Sequence, residues 1–295
     1  MDFRDLLRAQ GFDADSKGKI VLLRHRPFEP RLARVMPWMI EERRDLFEAY
    51  QAVPGRPEAA FGKAEFVASF LGMRAGTAHF VGLYRIGASR PLDFETYWSI
   101  PEHQMLRDHG CEGLTPARAA AFGTMRRFEL ELLPFYQVWC GKLVIGFPPP
   151  ERSWFRWIDR STFPVRAILE ESAFAPRPAD WHEIDLTFAE FAMLPQSWRV
   201  RLAEWRGVYL IFDESDSKSY VGSAYGQENI LNRWQAYARD GHGGNRELKD
   251  RDAKTFRFTI LERVSPDLPP DEVIAKENSW KLRLHSRAPF GLNAN

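Results

Sequence analysis

The chain has 295 residues, more than the common single-domain size, so two domains are the expectation. Hydrophobic residues make up 44% and aromatics 14%, enough for packed cores and too many for a disordered chain. The net charge of +1 excludes a global basic field that coats nucleic acid indiscriminately, so any phosphate-binding surface must be local.

Cys111 and Cys140 have neither metal-ligand spacing nor the count of a disulfide framework, which fits a reduced compartment. The opening MDFRDLLRAQGFDADSK carries acids and no long apolar run, so it reads as neither signal peptide nor membrane anchor, and a soluble cytoplasmic protein is expected. Phe3, Leu6 and Leu7 form the stripe of a short amphipathic helix, and a strand follows at Lys19 to Leu23. Arg24, His25, Arg26, Arg31 and Arg34 form a basic cluster broken by prolines, suited to phosphate contact or to a solvated loop. Helices are expected from Glu41 to Gln51 and from Ala59 to Leu71, then strands at Ala78 to Ile86, Tyr136 to Phe147 and Val165 to Leu169. The stretch from Leu92 to Phe128 shows no clear period. These spacings suggest an α+β amino-terminal domain with a curved or barrel-like sheet.

Within that region Trp154, Phe155 and Trp157 alternate with Arg152, Arg156 and Arg160. Aromatic faces stack on bases and guanidinium groups hold phosphates, so Arg152, Trp154, Arg156 and Trp157 are candidate DNA contacts, although tryptophans on a strand commonly serve the core. The pattern GKLVIGF, RSWFRW and a following valine faintly resembles PUA-like barrels of the EVE kind, a resemblance that implies binding of modified bases. PRPA at 176 to 179 marks a boundary, which gives a target-recognition domain at 1–180, a helical linker at 181–204 and a second domain at 205–295.

In the second domain, GVYLIF from Gly207 and YVGSA from Tyr220, joined by the turn-rich DESDSKS, read as a β-hairpin. Alternation lets Tyr209 and Tyr220 meet across it. A helix from Glu228 to Asp240 carries Arg233 and Tyr237 one turn apart on one side, and ends in the flexible GHGGN that contains His242. Thr255 to Leu261 is a further strand. In the last helix Val273, Glu277, Trp280 and Leu284 share a stripe. A carboxylate there requires a partner or a metal, and Arg233 is a candidate partner. The closing GLN brings Asn293 and a tight turn.

GVY, YVGSA, NRW, ENSW and GLN stand in series, and with them the segment from Gly207 onward resembles the GIY-YIG nuclease family. The departures are a valine for isoleucine in both signature triplets. The resemblance implies a small α/β domain, with a mostly antiparallel sheet flanked by helices, that hydrolyses DNA phosphodiester bonds, most naturally in duplexes. It implies that Glu277 ligates one divalent ion, Mg²⁺ or Mn²⁺, and that Arg233 grips the scissile phosphate. Tyr209 would activate water as general base or by hydrogen bonding, with Tyr220 orienting it. Tyr237 and His242 occupy positions where some members carry catalytic side chains, and Asn293 would brace the site. A phenol of pKa near ~10 needs positive charge to act as a base at neutral pH, and Arg233, the ion and Lys218 are the candidates; Lys218 is also a candidate DNA contact.

For the whole chain this gives a metal-dependent endonuclease of restriction type whose amino-terminal domain selects the target. The alternatives are a repair or recombination nuclease that docks a protein partner, or a domain that binds DNA without cutting. No membrane partner is expected. The oligomeric state is open, a dimer being admissible.

Overall fold

A computed structural model describes residues 1–55, 57–149, 154–175, 180–227 and 229–294. The fold is α+β, and the chain divides by its contacts into two compact units, Met1–Pro176 and Arg177–Asn295. The boundary read at 176–179 and the candidate contact Arg152 lie outside the described residues.

The first unit is built on a sheet of strands β1 (Ile20–His25), β2 (Phe66–Leu71), β3 (Thr77–Leu92), β4 (Met125–Leu132), β5 (Leu143–Gly146), β6 (Phe155–Trp157) and β7 (Val165–Ile168). Their order is β6-β1-β2-β3-β5-β7, with β4 on the far half of β3; β1 and β2 run parallel, and every other pair is antiparallel. The long β3 pairs first with β5 and β2 and then, from Tyr84 onward, with β4, a pairing whose register shifts between Ile86 and Ser89, and the sheet curls into a half-barrel. Strand β1 is buried along its whole length because both faces are covered. Ile20 and Leu22 enter a core with Phe3, Leu7, Phe70, Phe80 and Phe163, while Val21 and Leu23 enter another with Phe61, Val67 and Tyr84.

Several expectations are corrected here. The helix read over Ala59 to Leu71 is a single turn, Glu58–Phe61, and Phe66–Leu71 is β2. A short apolar run does not reveal its period, and the parallel partner β1 decides the matter. Only Leu143–Gly146 of the strand expected from Tyr136 is extended; Gln137–Trp139 forms a 3₁₀ turn that stacks Trp139 flat on Tyr136, ring centroids 4.2 Å apart. Glu41 to Gln51 is split between helices Pro30–Glu42 and Arg44–Gln51, the former opened by a first-turn proline. Leu92 to Phe128 holds three helices and the start of β4. Arg24 is no phosphate ligand: it is buried and donates from Nε to the Thr77 carbonyl (3.1 Å) and from Nη2 to the Arg74 carbonyl (2.8 Å).

The second unit carries an antiparallel sheet in the order β10-β9-β11-β8, formed by β8 (Asp185–Thr187), β9 (Arg206–Asp213), β10 (Lys218–Ala224) and β11 (Phe256–Val264). The stretch read as a linker supplies β8 and the helices Phe188–Ala192 and Gln196–Glu204 to this unit. Helices Asn229–Asp240 and Pro270–Arg283 complete it; Glu228 lies outside the described residues. Register shifts at Leu261, opposite Val208 and Tyr209. That bulge brings the Glu262 carbonyl oxygen to 2.0 Å from where a Cβ on Gly207 would stand, so only glycine fits the first position of the GVY triplet.

The hairpin turn is closed by Asp213, which is fully buried. It accepts from the Ser215 amide (2.9 Å) and hydroxyl (2.7 Å), the Thr255 hydroxyl (2.7 Å) and Arg251 (2.5 Å). Burial opposes its charge, but these donors outweigh burial and hold its carboxyl below the usual range. Arg251→Met should therefore destabilise the protein by about 2–3 kcal/mol at neutral pH, read by chemical denaturation. A lowered folded-state value means that this stability is present above the unfolded pKa and is lost as pH falls through the folded one, so the deficit of the variant should shrink in acid.

Candidate active site

Strands β9 and β10 place Tyr209 opposite Gly222 and Tyr220 opposite Ile211, which puts both phenols on one face of the hairpin, as diagonal neighbours. The glycine is required by packing: a Cβ on Gly222 would stand 2.5 Å from the Tyr209 hydroxyl and 2.9 Å from the Tyr220 ring. From helix Asn229–Asp240, Trp234 packs edge-on against the Tyr209 ring. Arg233 and Tyr237, one turn apart on that helix, close over the same spot. The Tyr209 and Tyr237 hydroxyls are 3.0 Å apart, and Arg233 donates from Nε to the Tyr209 hydroxyl at 3.4 Å. The Tyr237 ring also meets Tyr220, centroids 5.9 Å apart. The set Tyr209, Tyr220, Arg233 and Tyr237 is thus brought together, with Arg233 exposed, Tyr220 partly exposed and the other phenols buried.

Burial pushes the Tyr209 phenol well above its ordinary value, and the neighbouring Tyr220 adds to this; Arg233 pulls the other way without prevailing. Tyr237 is raised further by the same burial and by Tyr209. Both are neutral hydroxyls at physiological pH. Tyr209 has no exposed surface, so a direct water-activating role does not fit it in this arrangement. Of the charges considered for Tyr209, Arg233 is adjacent and Lys218 is not: Lys218 pairs with Asp213, four residues along β10 from Gly222, about 13 Å by strand rise.

Glu277 is held elsewhere. Its Oε1 lies 2.8 Å from the Lys281 ammonium one turn on, and its Oε2 accepts the Ser223 hydroxyl. Arg233 is therefore not the partner that the sequence suggested. Ser223 follows Gly222 and points to the other side of the pleat, where the final helix also seats Trp280 and Lys276 on the two oxygens of Glu262 (2.8 and 2.7 Å). Carboxylate and phenol cluster thus flank the edge strand β10 from opposite faces.

Asn293 braces that strand. It is buried, accepts from the Val221 amide at 2.9 Å and donates to the Val221 carbonyl at 2.8 Å, as a neighbouring strand would. The Ser286 hydroxyl fixes its orientation (2.7 Å). His242 is partly buried, and its Nδ1 accepts from the Gly244 amide at 2.9 Å. The next residue, Gly243, has φ +53°, and a Cβ there would stand 2.6 Å from the Tyr237 ring, so this loop backs the phenol cluster.

In the first unit, Trp154 is 45% exposed, whereas Phe155 and Trp157 on β6 pack against the core, which resolves the alternation of that segment. Arg160 lies 5.9 Å over the Trp157 ring, and Arg156 is partly buried.

Sequence reading missed Lys281, Ser223 and the Tyr209–Gly222 fit. The first was legible as a glutamate–lysine pair at helical i,i+4 spacing; the others need the register.

No protein-family model matches the chain, and no curated protein matches it. Among solved structures it is similar to the catalytic domain of the homing endonuclease I-TevI, with 27% identity over 30% of this chain and 98% of that chain, at a TM-score of 0.26. It is likewise similar to a glutamate-to-alanine mutant of that intron endonuclease domain, with 26% identity over 31% and 94% of the two chains and the same TM-score of 0.26.

Gly222→Ala should cost about 1–3 kcal/mol in chemical denaturation, because the methyl group displaces a packed phenol. In a Tyr209→Leu background the same change should cost less than half as much; equal costs in both backgrounds would remove the cross-strand fit from this account.

Proposed function

We propose that the carboxyl-terminal unit is a GIY-YIG-type endonuclease that hydrolyses DNA phosphodiester bonds. What supports this reading most is the exposed Arg233, tied by its Nε to a buried phenol and flanked by the partly exposed Tyr220. A guanidinium anchored at one nitrogen keeps its other N–H groups for an anion and is always charged, so it suits a scissile phosphate on which charge develops. Tyr209 and Tyr237, as neutral hydroxyls behind it, fix its direction. Tyr220 is the phenol placed to hold the attacking water by hydrogen bonding, a division of roles that differs from the one the signature triplets suggest.

We assign the divalent ion that the resemblance implies to Glu277, in keeping with Mg²⁺, which keeps several waters and takes one or two carboxylates plus substrate phosphates. In this structure the carboxylate is held by the Lys281 ammonium and the Ser223 hydroxyl, so an ion there would have to displace the ammonium, and no group of three or more His, Cys, Asp or Glu side chains among the described residues offers another site. When bound, the ion would neutralise charge on the phosphate oxygens. Asn293 holds β10 at Val221, between the two groups, and the loop of His242 backs Tyr237.

We assign target selection to the amino-terminal unit, in a restriction-type enzyme, with Trp154 as an exposed face on which an unstacked or modified base can rest. Trp154→Ala should spare folding and weaken DNA binding by about 1–3 kcal/mol in a fluorescence anisotropy titration. Unchanged affinity would favour the alternative, in which this unit docks a protein partner of a repair nuclease.

For the chemistry, Glu277→Ala should abolish Mg²⁺-dependent duplex cleavage while duplex binding persists. Arg233→Lys, which keeps the charge and loses the fork, should lower the cleavage rate by about 10²-fold with little change in binding. Wild-type cutting by either variant removes that residue from the reaction.

A further inference from the structure

The chain after Glu277 holds Lys281, Arg283, His285 and Arg287 and no Asp or Glu. Its last turn is a loop whose tip plays no part in bracing β10. The loop is closed on itself: Ala288 donates its amide to the Asn293 carbonyl at 2.8 Å, Gly291 to the Arg287 carbonyl at 2.9 Å and Asn293 to the Ser286 carbonyl at 2.8 Å. A Cβ on Gly291 would run into the Ser286 carbonyl, so the tight return needs glycine. At the tip stands Phe290, 80% exposed and the most exposed large hydrophobic side chain among the described residues.

A phenyl ring left in water costs hydrophobic free energy unless something comes to cover it. This one is held out. The Leu292 amide donates to the Ser219 carbonyl at 2.9 Å and Asn245 donates to the Leu292 carbonyl at 3.2 Å, so the tip is fixed against the edge of β10. Two residues of chain reach about 7 Å, so Phe290 stands within about 10 Å of the backbone beside Tyr220, about three base-pair rises along a duplex. Leu282 and Leu284 are also exposed, but the same stretch presents Arg283 and Arg287 at the surface and carries no acid, which favours a polyanion over an apolar protein face. The apolar part of a duplex is its base stack, and an apolar wedge enters it by parting one base step and kinking the axis.

Resting on the nuclease reading above, we propose that Phe290 is a wedge that inserts between two base pairs of the DNA within about three steps of the scissile phosphate. Arg287, exposed at the foot of the loop, and Arg283, steadied 4.0 Å over the Trp280 ring, take phosphates that flank the opened step. Unstacking kinks the duplex, so the phosphate reaches Arg233 with its backbone already bent out of the regular path. No bound ion is needed, because the step parts on binding. Pyrimidine–purine steps such as TA and CA part easily, so sites that place one under the ring are cut faster than stiff ones, a preference that requires no contact with a base edge.

The test uses the full chain and a duplex whose cut site has been mapped with the wild type, with 2-aminopurine placed singly at each position around the cut. With saturating wild-type protein in EDTA, its fluorescence should rise at one step, where the stack is opened. Phe290→Ala should lose that rise and cut about tenfold more slowly, whereas Phe290→Leu, a smaller wedge, should keep it and cut within about threefold of wild type. A mismatch at that step, which is already poorly stacked, should restore the alanine variant to the wild-type rate, a rescue that a merely structural loss would not allow. Wild-type protein that gives no rise at any position overturns the proposal, whether or not the alanine variant folds. So does a folded Phe290→Ala that cuts the matched duplex at the wild-type rate, or one that the mismatch fails to rescue; if that variant also loses a dimer in sedimentation, the ring covers a second copy of the chain instead. A wild type that cuts no duplex removes the nuclease reading and the wedge together. If the wild type cuts and Arg233→Lys is slow while Phe290→Ala is not, only the wedge is lost.

Discussion

The second unit depends on how one edge strand is finished. Strand β10 has β9 on one side, and on the other the Asn293 amide pairs with both backbone groups of Val221. An open strand edge would twist or recruit a foreign strand, and the asparagine closes it at one residue. That residue immediately precedes Gly222 and Ser223. Because successive side chains point to opposite faces, Gly222 leaves room for the Tyr209 ring while Ser223 holds Glu277, so one pinned backbone step fixes the spacing between phenols and carboxylate. The final helix and the chain end act together here: Leu292 donates its amide to the Ser219 carbonyl at 2.9 Å, and Asn245 reaches the Leu292 carbonyl at 3.2 Å, tying in the loop that backs Tyr237.

How much was legible follows from range. The hairpin and the position of Arg233 and Tyr237 on one helix face are local patterns of period two or about 3.6, and the structure contains them, whereas the stripe read from Val273 to Leu284 holds only in part: Leu284 lies past the helix end and is exposed, and Lys281 is buried beside Glu277 instead. The burial of Tyr209 is not local; it needs Trp234, Tyr237 and the missing side chain at Gly222 at once. The same limit explains Phe66–Leu71, six residues without a readable period that become a strand because Ile20–His25 lies alongside in parallel. Arg24 shows the reverse error: a cationic residue in a basic cluster reads as surface, whereas this one is consumed by two backbone carbonyls in the interior.

The two units use aromatic residues differently. In the first, Phe3, Phe70, Phe80 and Phe135 meet at centroid distances of 5.2 to 6.0 Å and carry the core by area alone. In the second, Tyr209, Tyr237 and Trp234 bring polar atoms into the interior with the rings, and the hydroxyls satisfy each other. The backing that results is what an exposed arginine needs in order to present its planar fork to two oxygens of an anion in one orientation.

The hairpin connection is rich in acids, a composition that would repel a polyanion. Arg251 binds both Asp213 and Asp216, and Arg257 binds Glu214 together with Asp185. Each carboxylate of the connection is thereby matched to a guanidinium within 3.2 Å or less. At distances beyond about 10 Å, a Debye length in moderate salt, such pairs act as dipoles rather than as charges. On the proposed endonuclease reading, the turn can therefore keep the acids that shape it without casting a repulsive field towards a nucleic acid, and the near-zero net charge of the chain is no obstacle to a polyanionic substrate.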